Sequence, residues 1–123
     1  MDPYREEILA HYKHPSNFGD LCDATVVARE ANASCGDLVE LSLKIVGSKI
    51  VDVKFKGVGC ALSIASSSLL TEQLKGKTIA EVEKFDERFV VSLVGVEVSS
   101  MRMKCILLPL RGLERALAKL GRR

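Results

Sequence analysis

The sequence predicts an α+β fold: a small three-stranded antiparallel sheet with helices before and after it, packed on one of its faces. Three observations carry this expectation. Two segments, Val39 to Ile45 and Val51 to Phe55, alternate apolar and polar residues with a period of two. Gly47-Ser48 lies between them as a two-residue hairpin turn. On either side of this unit, apolar residues recur at three- and four-residue steps, the period of helices that bury one side.

At the start of the chain, Asp2 reads as an N-cap and Pro3 as the first helical residue, with Glu6 and Glu7 where the positive helix end favours acids. Tyr4, Ile8 and Tyr12 form an apolar stripe, so a first helix spans residues 3–13 and stops at His14-Pro15. Ser16 to Asp20 reads as loop and Thr25 to Glu30 as a short first strand. In the second strand Val39, Leu41, Leu43 and Ile45 face the core and Glu40, Ser42 and Lys44 face water. Val51, Val53 and Phe55 alternate in the same way with Asp52, Lys54 and Lys56 in the third.

After Phe55 the period changes. Gly57, Gly59 and Cys60 form a tight loop, and Ala61 to Leu74 a helix closed by Gly76 as its left-handed cap. The small residues Ser63, Ala65, Ser66, Ser67 and Ser68 let this helix lie close against a neighbour. Thr78 with Glu81 makes a capping box, and Asp86 caps a further helix that runs through Val94. Ile106, Leu110, Leu113, Leu117 and Leu120 mark one side of a last helix. Because proline inside a helix costs about 3 kcal/mol, Pro109 places the start of that helix near Cys105.

The 123 residues amount to one domain, 1–123, and 47% hydrophobic against 28% charged residues excludes a disordered chain. The longest uncharged stretch, Gly57 to Thr71, is 15 residues, short of the roughly 20 that a membrane span needs. The first residues lack the basic start and apolar core of a secretory signal, so a cytoplasmic protein with reduced thiols is expected. The net charge of +2 hides a basic tail: residues 102–123 hold seven Lys or Arg against Glu114 alone. Such a face is ordinarily solvated, and no nucleic-acid partner is read from it. There is no glycine-rich nucleotide loop, serine nucleophile elbow or Ser-His-Asp set, which excludes nucleotide-binding and hydrolase classes.

The chemistry lies in the cysteines, Cys22, Cys35, Cys60 and Cys105, which include no Cys-x-x-Cys pair. Cys22 reads as a small buried core residue. The other three each stand at the end of a regular element: Cys35 before the second strand, Cys60 before the second helix, Cys105 at the head of the last one. Two of these are expected at helix N-termini, where the macrodipole favours a thiolate, and Arg102 and Lys104 favour it further at Cys105. Three thiolates are one short of a tetrahedral site, and Asp37, two residues past Cys35 across Gly36, is the natural fourth group. A carboxylate is the more exchangeable ligand for a soft metal. Spacing alone leaves two readings open, core thiols or a metal or sulfur site. His11 and His14 are read as surface or capping residues.

At these positions the chain resembles the U-type iron-sulfur cluster scaffold family, which includes IscU, SufU and the N-terminal domain of NifU. The matching segments are Tyr4 to Ile8, His11 to Gly19, Cys35-Gly36-Asp37, Gly59 to Ser68, Lys75-Gly76-Lys77 and Lys104-Cys105. The resemblance implies a fold of the SufE/NifU type and assigns Cys35, Asp37, Cys60 and Cys105 to the family's ligand positions. Those residues would hold a transient [2Fe-2S] cluster, or zinc (Zn2+) or ferrous iron (Fe2+) in its absence. Cys35, Cys60 and Cys105 become the candidate acceptors of persulfide sulfur, and Cys22 matches nothing in the family pattern. The implied partners are a PLP-dependent cysteine desulfurase and apo iron-sulfur or carrier proteins, with the chain a monomer or a cluster-bridged dimer. The role implied is a scaffold rather than a turnover enzyme, and the alternative is a zinc-dependent sulfurtransferase of the SufU kind.

The resemblance has two departures. Val98 to Arg102 and Lys104 stand where IscU-type members carry their chaperone-read Leu-Pro-Pro-Val-Lys stretch and a histidine before the third cysteine. Lys104-Cys105 and Leu107-Leu108-Pro109 look like SufU, yet the insertion typical of SufU is missing.

Overall fold

The computed structural model describes residues 3–121. The chain runs α1 (Pro3–Lys13), β1 (Val26–Asn32), β2 (Asp37–Val46), β3 (Lys49–Val58), α2 (Ala61–Leu74), α3 (Ile79–Val82), α4 (Glu87–Val94) and α5 (Ser100–Lys119). The strands form one antiparallel meander in the order β1-β2-β3. The predicted Asp2 cap, the Tyr4 side chain and the last two arginines of the basic tail lie outside the described residues.

All helices that touch the sheet lie on one face, α5 over β1 and β2 and α2 over β3. The alternation dictates this. Val39, Leu41 and Leu43 of β2 and Val53 and Phe55 of β3 point into the core, each at most 3% exposed, while Glu40, Lys44, Lys54 and Lys56 line the other face. Val51 departs from the expectation: it is exposed and Ile50 is buried instead. The register slips by one residue between Lys44 and Ile45, so Val51 has no partner across the strand and the pleat inverts beyond it. Gly47, at φ +65°, makes the predicted two-residue turn.

The core helix is α2, and its small residues explain how. From Ser63 to Thr71 every residue is buried, against α1, α5, α4 and β3. Its buried hydroxyls have partners: Ser66 Oγ donates to the Ile106 carbonyl of α5 at 2.6 Å, and Ser67 Oγ to the Ser63 carbonyl at 2.8 Å. Gly76 has the predicted positive φ, but Lys75 closes the helix and the Gly76 N–H donates to the Ile50 carbonyl of the sheet. Thr78 with Glu81 and Asp86 cap α3 and α4 as expected.

Along α1, the stripe holds at Ile8 and fails at Tyr12, which is 45% exposed. The contact is polar instead: His11 Nδ1 lies 2.6 Å from Ser68 Oγ, which also accepts the Ser16 N–H at 2.7 Å. The last helix corrects the sequence reading most. It starts at Ser100, with Ser99 Oγ accepting the Arg102 N–H, and Pro109 lies inside it. Burial of Ile106, Leu110 and Leu113 outweighs one missing backbone bond. Three cations of α5 have local partners: Arg111 on Glu87 and Glu114, Arg115 on Glu30, and Lys119 on the Val27 carbonyl. Among the described residues no helix is long and apolar enough to cross a membrane.

Candidate metal centre

The β1–β2 connection is a tight turn in which the Cys35 N–H donates to the Asn32 carbonyl at 3.2 Å. Gly36 follows at φ +72°, a left-handed conformation that favours glycine, and turns the chain into β2 at Asp37. The pairing Leu38↔Val58 brings the end of β3 alongside, so Gly59 and Cys60 arrive next to Asp37. α5, packed across β1 and β2, delivers Cys105 from below. One sulfur or oxygen ligand atom from each of Cys35, Asp37 and Cys105 lies within 4.8 Å of the others.

Cys60 stands at the edge of this group. It is the N-cap of α2, its N–H donates to Asp37 Oδ1 at 3.1 Å, and its Sγ lies 4.0 Å from Ser63 Oγ. The helix end thus holds one oxygen of the Asp37 carboxylate, where the macrodipole favours an anion. Gly59 is required for this packing: a Cβ there would stand 2.4 Å from Ser63 Oγ and 2.5 Å from Asp37 Oδ1.

A metal fits these residues. Asp37 is 2% exposed, and its Oδ2 is buried without a hydrogen-bond partner, a costly state for a carboxylate oxygen that a cation would relieve. The donor set of thiol sulfurs and one carboxylate suits zinc or ferrous iron.

The thiols differ from expectation. Cys105 sits in the second turn of α5 rather than at its head and is 2% exposed. Burial, and then the neighbouring Asp37, Cys35 and Cys60 groups that stabilise its protonated form, push its thiol well above the usual range. The expected helix-end activation therefore fails at Cys105, because the helix begins a turn and a half earlier. Cys35 is exposed and Cys60 half-buried. Cys22 is exposed, not a core residue, since it lies in the turn before β1. His11 meets Ser68, and His14 is exposed.

A fold and a cysteine-aspartate cluster of this kind invite comparison with known proteins, and residues 3–123 match the family model described as the NifU-like N terminal domain. The chain belongs to this family. Among its NifU-like relatives, the zinc-dependent sulfurtransferase SufU of Bacillus subtilis is 35% identical over 94% of this chain and 90% of its own. The iron-sulfur cluster assembly scaffold protein IscU 1 of Archaeoglobus fulgidus is 37% identical over 93% of this chain and 74% of its own. In three dimensions the chain is similar to a proposed iron-sulfur cluster assembly scaffold for the SUF system of Fervidobacterium islandicum. That likeness has a TM-score of 0.78 and 39% identity, covering 91% of this chain and 94% of the other. The N-terminal part of a NifU-like protein from Brucella abortus shares the fold, with a TM-score of 0.81, 20% identity, and coverage of 96% and 94%.

Asn32, whose carbonyl accepts the Cys35 N–H, and Ser63, whose hydroxyl lies against Cys60, were not expected at the site. Neither carries a signal in the sequence, because their places depend on strand register and on how α2 starts.

Proposed function

We propose that this protein is a cytoplasmic iron-sulfur cluster assembly scaffold that takes sulfur from a cysteine desulfurase, binds iron, builds a [2Fe-2S] cluster and passes it to apo-proteins. The observation that carries this reading is the convergence of Cys35 and Asp37, from the β1–β2 turn, with Cys105, from a helix some 70 residues further on, to within 4.8 Å around an unpartnered carboxylate oxygen. Cys60, whose backbone holds Asp37, would supply the third sulfur. The family membership agrees with it, since relatives named both as scaffolds and as a zinc-dependent sulfurtransferase cover most of the chain.

The residues divide the work by exposure. Exposed Cys35 is the thiol that an incoming protein persulfide can reach. Its thiolate attacks the terminal sulfur of the donor persulfide, the donor's S–S bond breaks, a new S–S bond forms on Cys35, and the donor leaves as a thiolate. Buried Cys105 is the anchor, held in the core by α5. Asp37 is the ligand that lets go: a carboxylate binds soft metal less tightly than sulfur, and the Cys60 N–H holds one of its oxygens ready. Iron and sulfur here are cargo: the persulfide sulfur becomes cluster sulfide by taking two electrons from an external thiol or electron-transfer protein, which frees the Cys35 thiolate.

Anaerobic reconstitution with ferrous iron, cysteine, a cysteine desulfurase and dithiothreitol as the reductant of persulfide sulfur tests the reading. The expected result is a visible absorption band that Cys35→Ala, Cys60→Ala or Cys105→Ala abolishes. Asp37→Ala should keep the band and slow its transfer to an apo-ferredoxin. Tightly bound zinc with stimulated desulfurase turnover and no band would replace the scaffold by the sulfurtransferase relay.

A further inference from the structure

Among the described residues, two side-chain atoms are buried without a hydrogen-bond partner: Asp37 Oδ2 and Asn32 Nδ2. They are neighbours. Asn32 ends β1, Asp37 opens β2, and the two are direct partners in the strand register. Opposed residues of an antiparallel pair carry their side chains on the same face, with Cβ atoms about 4.5–5.5 Å apart. Between them in the chain lies Cys35, whose N–H is bonded to the Asn32 carbonyl. An acceptor without a donor and a donor without an acceptor thus flank the exposed cysteine of the site, and they do not satisfy each other.

A dry, unpaired amide N–H2 is destabilising on the scale of a lost hydrogen bond, so a buried orphan donor points to an acceptor that the polypeptide alone does not supply. A metal ion satisfies Asp37 Oδ2 and has nothing to offer an N–H. The ligands around the metal do. A thiol sulfur is a weak acceptor, whereas a metal-bound cysteine sulfur is anionic and accepts strongly. Cys35 is the sulfur tied into the same turn as Asn32.

We propose that Asn32 is a positioning residue of the centre, its Nδ2 donating to Cys35 Sγ when Cys35 is metal-bound. This rests on reading Cys35, Asp37 and Cys105 as metal ligands. The bond fixes the orientation of the exposed ligand and offsets part of the excess negative charge that thiolates and a carboxylate bring to a divalent ion. Lys104, the residue before Cys105, lines a cleft of about 290 Å³ together with Asn32.

Zinc alone is the probe. Wild type and Asn32→Leu, an apolar side chain of similar size, are titrated against a chromophoric chelator, and the metal-free forms are melted. The expected result is a metal-free melting temperature that is unchanged or higher, with zinc binding about 10- to 100-fold weaker, the scale of a hydrogen bond to a charged group. In the cobalt-substituted protein the sulfur-to-metal charge-transfer band should move to lower energy in the variant. In the wild type, the Asn32 side-chain amide resonance should shift on zinc loading.

Equal zinc affinity with an unmoved cobalt band would overturn the proposal. So would a metal-free variant that melts lower or fails to fold, which would make Asn32 structural, or a wild-type amide resonance that ignores zinc. A wild-type protein that takes up no zinc or cobalt would remove the underlying metal-centre reading first, before any variant is compared.

Discussion

At the scale of single residues, the site is defined by what surrounds Asp37. One of its oxygens is held by the Cys60 N–H, the other is free, and Gly59 leaves room for both. Gly59→Ala would drive a Cβ into the carboxylate and Ser63, so metal affinity should fall at least about tenfold with a stability loss of about 1–3 kcal/mol. Chelator competition and thermal melting measure the two, and unchanged affinity would contradict the geometry. The raised Cys105 thiol sets the pH dependence. Neutral at neutral pH, it must lose its proton to a metal, so zinc affinity should rise with pH, about tenfold per unit for each proton displaced. In the metal-free protein the unfolded thiol ionises above about pH 8.5 while the folded one stays neutral. Stability should therefore decline as pH climbs past that value, which denaturant melts at increasing pH would show. That Cys35, Asp37 and Cys105 lie together was legible because few residue types suit a soft metal, and Cys60 was expected beside them. The protonation of Cys105 and the buried, unpartnered amide of Asn32 were not, since both depend on burial and register.

At the scale of elements, the departures from the sequence reading share a cause: tertiary packing overrode a local rule. Proline inside a helix removes the backbone donor to the carbonyl four residues back, here that of Cys105. Local chemistry says to start the helix at Cys105, but burial of Ile106 to Leu110 and the Ser99 cap extend it to Ser100. Pro109→Ala should raise stability by about 1–2 kcal/mol, the helix-propensity gain less the apolar volume lost. A lower melting temperature would instead mean that the proline's packing outweighs the missing bond. The α1 stripe failed at Tyr12 for a related reason, because this helix is held on α2 by Ile8 and by the polar group of His11, Ser16 and Ser68. Ser68→Ala removes the shared hydroxyl and should cost about 1–3 kcal/mol. Hydrogen exchange should show that loss concentrated in α1, and uniform destabilisation would place the hydroxyl's role elsewhere. Val51 was misassigned because a strand period read from sequence assumes unbroken register, and a one-residue slip inverts everything beyond it.

At the scale of the whole molecule, the meander and the helices on one face followed from periodicity, turn glycines and caps, and these are local signals. The convergence of ligands is not local. A three-stranded sheet places its β1–β2 turn beside the exit of β3, and a long helix crossing underneath passes the same end, so three segments far apart in sequence meet at one edge of the core. Small residues along α2 make this possible by letting α5 approach, with Ser66 bonded to the carbonyl next to Cys105. The most direct test of this claim is X-ray absorption spectroscopy at the zinc edge of anaerobically loaded protein. Three sulfur neighbours near 2.3 Å and one oxygen near 2.0 Å, about the usual zinc distances, are expected. A shell of nitrogen and oxygen alone, or fewer than two sulfurs, would contradict it.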